Sequence, residues 1–493
     1  MLYQKAHTAK LGFFISIIFC VACSANEANK ASGPVDSEKV VNGLNPTITK
    51  IQEQVKYNRA MEAVIWGIPA VNFDIMYQAT VRDAKGGYNS VVYWSELQDW
   101  HIQTLTPNTD VVYFSAFFNL KESGPMILQI PPASGGVING TVMDCWQSAL
   151  EDVGIAGVDK GKGGKYFIAP PGYKEKIPSG YVPMCSDTYK GFFLIRSLLG
   201  KRSDDSEVAK AVAYGKQIKF YPYSQTGNSP STAFIDMAGK LFDAVIPYDL
   251  RFFQSLDRIV QSEPWLTRDK AMIDQLKYIG IEKGKSFNPN TKMQQLLKSA
   301  IASAHDWFNE YYENAFPPYF SGMHWGIPIV PGVGQGMSEF FMNDSASYQV
   351  DGRGLAYSYA YFSPKHPGAG QFYLMSIKDG DGNLLDCGKT YLLHVPAHPP
   401  VNQYWSATVY DRETHALIRN AKVLSRSSQS QGLQMNTDGS VDIYFGPKAP
   451  PGKESNYVET GEGKKFEILF RFYGPEKPLF DKTWQLPDPI EMK

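Results

Sequence analysis

The chain holds 493 residues, and at about 150 residues per domain this is too long for a single core. Hydrophobic residues make up 43 % and charged residues 20 %, which excludes a disordered or fibrous chain. Lys and Arg total 48 against 49 Asp and Glu, a formal charge of -1, so no global basic field exists to hold a nucleic acid or an anionic membrane.

The first predicted element is an export leader. Met1 to Lys10 carries Lys5 and Lys10 without an acid, and Leu11 to Ala22 is an apolar run too short to span a bilayer comfortably. Residues 1–22 therefore read as a signal peptide. Cys23, behind Cys20-Val21-Ala22 and ahead of Ser24, resembles the cysteine that bacterial lipoproteins acylate, although Cys20 stands where Leu, Val or Ile is usual. Ordinary cleavage near Ala22 to Ala25 is the other reading. Residues 23–45, rich in Ser, Asn, Lys and Gly, suit a flexible tether. The expected location is the periplasm or the outer membrane, with membrane contact through the lipid alone. Of the remaining cysteines, Cys145 and Cys185 fall in one predicted domain and permit a bridge; small buried thiols are the alternative, for Cys387 as well.

Residues 46–232 read as a helix followed by an antiparallel β-sandwich. Met61, Val64, Ile65, Ile68, Val71 and Ile75 recur at helical spacing, with Gly67 and Pro69 predicting a break or kink in a helix that caps the domain. Short apolar runs at 111–118, 126–130, 165–170 and 191–195 then predict strands. Residues 233–345 read as a small helical module with helices at 249–261 and 267–279 and a third opening at Asn288-Pro289. Residues 346–493 read as a jelly-roll-like β-sandwich. There Phe372 to Ile377 and Tyr391 to Val395 flank an Asp-Gly-Asp-Gly turn and predict a hairpin. Phe466, Ile468, Phe470 and Phe472 alternate with Lys465, Glu467, Arg471 and Tyr473, a half-buried strand to which Leu469 is the exception. The fold class is thus multi-domain and mainly β, with a central helical module.

Five motifs, 106–113 (TPNTDVVY), 157–166 (GVDKGKGGKY), 170–173 (PPGY), 402–411 (NQYWSATVYD) and 436–444 (NTDGSVDIY), resemble the paired bacterial domains of unknown function 1254 and 1214, in that order along the chain. The resemblance runs from about residue 45 to the C-terminus and implies the same N-terminal sandwich, helical insert and C-terminal jelly roll. It implies no catalytic residue set. The chain departs from the pattern at Asn456-Tyr457-Val458-Glu459, where the family usually shows Asn-Trp and a proline.

For chemistry, a GxSxG elbow is missing, since Gly336-Met337-Ser338-Glu339-Phe340 lacks the last glycine. The glycine-rich 157–165 stretch could let Lys160 and backbone N–H groups meet an anion, but it departs from a phosphate loop; a tight turn is the bland alternative. His394 and His398 are four apart, yet the nearby prolines disfavour the helix a metal pair would need, so no metal or cofactor is expected. Asn108, Asp110 and Tyr113 with Trp146 combine an amide, a carboxylate and aromatic rings, a set suited to a small polar-apolar ligand. An Asx-turn explains Asn108 and Asp110 equally well. His101, with Asp110 or Asp144, is the candidate acid–base group, and Glu151 with Asp152 is a further carboxylate pair.

The leading expectation is a lipid-anchored envelope protein binding a small organic or carbohydrate ligand in an aromatic and polar interdomain cleft, through Asn108, Asp110, Tyr113, Trp146 and Lys160. The rivals are a hydrolase or lyase using Asp110 or Asp144 with His101, and a structural envelope protein. A homo-oligomer is compatible with the composition; a nucleic-acid partner is not.

Overall fold

The computed structural model describes residues 51–200, 204–228, 231–329, 349–360, 364–366, 370–461 and 463–493. The leader, Cys23, the tether and the 336–340 stretch lie outside the described residues. Among the described residues no helix is long and apolar enough to cross a membrane.

Helix α1 (Ile51–Arg82) runs unbroken through Gly67 and Pro69, and from Ala63 to Met76 it is buried on every side. It is a central spine, which corrects the expected kinked cap: neighbours on all sides outweigh the proline's preference for ending a helix. Pro69 has no N–H for the Ile65 carbonyl. At that carbonyl the chain places Gly354, where an added Cβ would lie 2.7 Å from the Ile65 oxygen.

The first domain holds β1 (Ser90–Tyr93), β2 (Ile102–Gln103), β3 (Val111–Asn119), β4 (Met126–Ile130), β5 (Val137–Asp144), β6 (Ala149–Gly154), β7 (Gly164–Ala169), β8 (Val182–Cys185), β9 (Lys190–Leu198), α2 (Asp205–Gly215), β10 (Lys219–Pro222), β11 (Ala233–Asp236) and β12 (Phe242–Asp243). A six-stranded sheet, β11-β1-β3-β9-β5-β6, faces a four-stranded one, β10-β4-β7-β8, and β12 pairs with β2. Phe114, Phe118, Leu128, Ile168, Phe193 and Phe220 fill the space between the larger sheets. The other face of the larger sheet lies on α1, through Phe73 against Phe117 and Phe192. Cys145, Cys185 and Cys387 are free thiols, Cys145 buried and Cys185 exposed, so the permitted bridge is not formed.

The helical module contains α3 (Leu250–Ser262), α4 (Lys270–Leu276) and α5 (Thr291–Asn314). Asp249 caps α3 by accepting the Arg251 N–H, and Gly280 ends the second stretch in the left-handed conformation. The third cap is Asn290, two residues beyond the expected Asn288, and its side chain accepts the Met293 N–H.

The chain then forms α6 (Val350–Tyr359) where strand texture was expected, because this segment packs on the spine at Gly354. The C-terminal strands are β13 (Gln371–Ser376), β14 (Tyr391–Val395), β15 (Val401–Asp411), β16 (Ser425–Ser427), β17 (Val441–Gly446), β18 (Tyr457–Glu459), β19 (Phe466–Pro475) and β20 (Ile490–Glu491). They make two four-stranded sheets, β13-β19-β15-β16 and β18-β17-β14-β20. The expected β13–β14 hairpin is absent: the Asp-Gly turn forms, but its arms diverge, β13 pairing with β19 and β14 with β17. Strand β19 is buried on both faces. Its phenylalanines pack inside the sandwich, Phe466 against Tyr391 and Phe445, while Glu467 and Arg471, 1 % and 2 % exposed, turn toward the other modules.

Gly354→Ala gains about 1 kcal/mol of helix propensity, yet it forces two buried backbones apart. Overlap of this kind costs about 1–3 kcal/mol, so a lower urea midpoint with an unchanged slope is expected.

Candidate functional site

Strand β19 presents Glu467, Leu469, Arg471 and Tyr473 along one face. Arg471 donates to the Thr408 hydroxyl at 2.9 Å and to the Tyr410 hydroxyl at 2.5 Å, both on β15. Tyr473 stacks on Tyr404 with centroids 4.0 Å apart and accepts the Asn108 amide N–H at 2.5 Å. Asn108 Oδ1 meanwhile accepts the Asp110 N–H at 2.9 Å, the expected Asx-turn. Turn and contact are therefore not alternatives; the turn delivers the contact.

Asp110 is 8 % exposed, and its Oδ2 has no hydrogen-bond partner. Burial pushes its carboxyl above the usual range, against the opposing pull of the Ser406 hydroxyl and the Arg471 guanidinium. Tyr113 holds Arg196 Nε through its hydroxyl at 3.2 Å. Asn108, Asp110 and Tyr113 thus border one buried polar patch between the first domain and the β13–β19–β15 sheet.

Trp146 and Asp144 are elsewhere. Along β9, Val111 registers with Leu198 and Asp144 with Gly191. Seven strand residues separate these points, about 23 Å. Asp144 Oδ1 accepts the N–H groups of Trp146 and Ser148, both at 2.8 Å, and burial raises its carboxyl despite Arg268 and Arg353 nearby. Trp146 lies against Trp66 of α1, with centroids 4.7 Å apart, and its carbonyl accepts from Arg353. This pair joins the first sheet to the spine. His101 Nδ1 is held by Asp99 at 2.9 and 3.0 Å, and no hydrogen bond links the ring to Asp110 or Asp144. Lys160 is exposed in a loop folded around Asp159, which accepts the N–H groups of Gly154 and Gly163 and the Tyr166 hydroxyl. Glu151 and Asp152 bind the 364–366 segment, Glu151 through Lys365 and His366 and Asp152 through their backbone N–H groups. His394 bonds Asp442 at 2.7 Å and shares no cluster with His398; among the described residues no group of three metal-type ligands occurs.

A cavity of about 820 Å³ opens between α1, the 241–248 loop, α3, α5, α6 and the turn after β15. Each of its four arginines is bonded to an aspartate: Arg82 to Asp83, Arg251 to Asp249, Arg258 to Asp74, and Arg419 to Asp243, at 2.6 to 2.7 Å. Tyr248 stacks on His305 at 3.8 Å in the same wall, and burial holds the His305 ring below its usual range.

The turn after β15 carries His415 into this wall. Asp411 Oδ1 accepts the N–H groups of Glu413 and Thr414, and the Asp411 carbonyl accepts the His415 N–H. His415 then takes the left-handed φ of 54°. Its Nδ1 lies 3.0 and 3.2 Å from the two oxygens of Glu467, and Tyr312 of α5 donates to Glu467 Oε2 at 2.7 Å.

His415, Glu467 and Tyr312 were not singled out from the sequence. The available signal was Leu469, an apolar residue on the charged face of β19, which marks that face as covered rather than wet. The departing segment 456–459 forms the turn into β18, an edge strand paired with β17, and does not line the cavity.

Two family models match the chain: Protein of unknown function (DUF1254) over residues 88–222 and Protein of unknown function (DUF1214) over residues 370–477. The chain belongs to the proteins in which these two families are paired, N-terminal and C-terminal respectively. Among solved structures, the VPA0106 protein from Vibrio parahaemolyticus is similar at 17 % identity and a TM-score of 0.52, covering 89 % of this chain and 100 % of its own. An uncharacterised protein from Burkholderia cenocepacia aligns at 10 % identity and a TM-score of 0.40, covering 90 % of this chain and 95 % of its own. The first likeness shows the fold alone. A comparison with curated proteins returns no match.

Asp110 supplies a test of the polar patch. A carboxyl whose folded pKa is raised stabilises the fold relatively at low pH, and that contribution is lost as pH rises through the folded value. Asp110→Asn should therefore raise the urea midpoint at neutral and alkaline pH, with no gain below the unfolded carboxyl range. A loss of stability at neutral pH would instead show that the ionised form is held by Arg471.

Proposed function

We propose that the protein is an exported, lipid-anchored envelope protein that binds a small, neutral, polyhydroxylated organic molecule in the interdomain cavity. The observation that carries this reading is the cavity itself. Its volume falls within the range of about 300–1,000 Å³ usual for small-molecule sites, and it is walled by the first domain, the helices and the C-terminal sandwich together.

The lining favours a neutral ligand over an ion. Every arginine already has an aspartate, so the walls offer many planar donors and acceptors with little uncompensated charge. Vicinal hydroxyls match such paired forks. The Tyr248–His305 stack adds a flat surface for the C–H face of a sugar-like ring. The residues expected from the sequence take a different part: Asn108, Asp110 and Tyr113 set the contact between domains beside the cavity and are not in its wall.

A thermal-shift panel of monosaccharides, disaccharides and sugar acids tests this. At least one neutral sugar should raise the melting temperature in a concentration-dependent way. Leu241 lines the cavity and is 43 % exposed, so Leu241→Trp should obstruct the opening, keep the fold, and weaken that sugar about tenfold or more. Preference for the charged sugar acids alone would overturn the neutral class. Anchoring has a separate readout: Cys23→Ser should move the protein from the membrane to the soluble fraction on cell fractionation.

A further inference from the structure

We propose that His415 and Glu467 form a general acid–base pair that moves a hydroxyl proton of the molecule held in the interdomain cavity. The proposal rests on the reading of that cavity as a ligand site and adds a reaction to it.

The geometry assigns the tautomer. Ionised Glu467 only accepts hydrogen bonds. With Tyr312 donating to Oε2 at 2.7 Å and Nδ1 within 3.0 Å of Oε1, the hydrogen of a neutral His415 ring sits on Nδ1 and the lone pair on Nε2. Nδ1 is spent on a residue behind the wall; Nε2 makes no hydrogen bond among the described residues, and the ring lines the cavity. A histidine serving as internal glue uses both nitrogens. This one keeps a base free where a ligand would sit.

The ring is also fixed in place. Its backbone N–H is bound to the Asp411 carbonyl at 2.8 Å and its carbonyl accepts the Thr106 N–H at 2.6 Å, so two domains pin a residue already in the left-handed conformation. The ring packs 4.7 Å from Tyr312 and 6.1 Å from Tyr359, centroid to centroid. The groups around it are Glu467 on β19, Tyr312 and His305 on α5, Tyr359 on α6, and Arg412 and Glu413 in its own turn. Of these, Glu467 is the carboxylate bonded to the ring, and at 1 % exposure water does not compete for it. In the transfer, Nε2 accepts the proton of the hydroxyl on the hemiacetal carbon of a cyclic sugar; the O–H electron pair becomes the new C=O bond as the bond from that carbon to the ring oxygen breaks and its pair moves onto the ring oxygen. Glu467 holds the imidazolium, and Nε2 gives the proton to the freed ring oxygen, so the ring opens to its carbonyl isomer and both residues end as they began.

Diethyl pyrocarbonate reports on this without a substrate, because a free Nε2 lone pair attacks its carbonyl carbon and expels ethyl carbonate, which breaks down to carbon dioxide and ethanol. In the full-length protein, peptide mass spectrometry should find His415 carbethoxylated. Glu467→Gln should slow that step about tenfold. Tyr312→Phe, which keeps the ring and removes one donor to Glu467, should slow it about threefold and stands in if the first variant does not fold. An unreactive His415 beside a reactive His398, or folded variants that match the parent in rate, would overturn the pair. Reactivity at His415 in a protein that binds no sugar would overturn the ligand class and leave the pair standing; sugar binding with an inert His415 would do the reverse.

Discussion

A strand buried on both faces, one of which carries a glutamate, an arginine and a tyrosine, obliges its neighbours to supply a hydrogen-bond partner for each polar group. In β19 these partners come from different parts of the chain. Glu467 is met by Tyr312 from the helical module and by His415 from the turn after β15; Arg471 by Thr408 and Tyr410 of β15; Tyr473 by Asn108 of the first domain. Moving any module by a few ångströms would leave a buried charge or hydroxyl without its partner, at a cost of about 1–3 kcal/mol for a neutral group and more for a charged one. The polar face of one strand therefore sets the relative placement of three regions, and the interdomain cavity keeps its shape because that placement is fixed.

The spine contributes the other half of this constraint. Helix α1 is buried all round between Ala63 and Met76, so it has no solvent side and must fit every neighbour at once. Pro69 removes one internal hydrogen bond, and Gly354 sits at the Ile65 carbonyl that the proline cannot reach with an N–H. Gly67 leaves space for Leu256 of α3, whose Cδ1 would be 3.0 Å from an added Cβ. Close approach of α3 and α6 to the spine brings Arg258 to Asp74 and places both helices as cavity walls. Backbone packing at small residues is thus the reason that polar groups from distant segments share one cleft.

Much of the fold was legible because it follows from periodicity: the apolar runs of β3, β4 and β14 and the helical stretches at 249–261 and 267–279 coincide, within a residue or so, with the elements that form. What local pattern cannot carry is which strand pairs with which. The Asp-Gly turn at 379–382 has hairpin chemistry, yet its flanking strands enter different sheets, since β19 offers β13 a long partner and β17 does the same for β14. The candidate site was legible in part for a related reason. Asn108 and Asp110 announce a turn, and Trp146 reads as a ring for the same ligand, but strand register, invisible in the sequence, puts them at opposite ends of β9. His415 was hidden because its partner Glu467 is 52 residues away and alternates with phenylalanines in a pattern that reads as a wet face.

Two kinds of buried polar group coexist at this interface, and they differ in what they leave unsatisfied. Around Arg471 and Tyr473 the donors and acceptors are mostly matched within the protein, as expected of a joint. Asp110 Oδ2, the Ser406 hydroxyl and Arg471 Nε are exceptions, buried without a well-formed hydrogen bond, although Ser406 and Arg471 lie close enough to pull on the Asp110 carboxyl. Burial acts on that carboxyl by favouring its neutral form, which removes the penalty of an unpaired charge at little cost to the joint. At His415 the outcome is opposite. The acid behind the ring has two donors directed at it, and the atom without a hydrogen bond among the described residues is a ring nitrogen at the cavity wall. A mismatch sealed inside a joint is relieved by protonation, whereas one facing a cavity is relieved by a ligand, and that difference separates the part of this interface that holds the modules together from the part able to do chemistry.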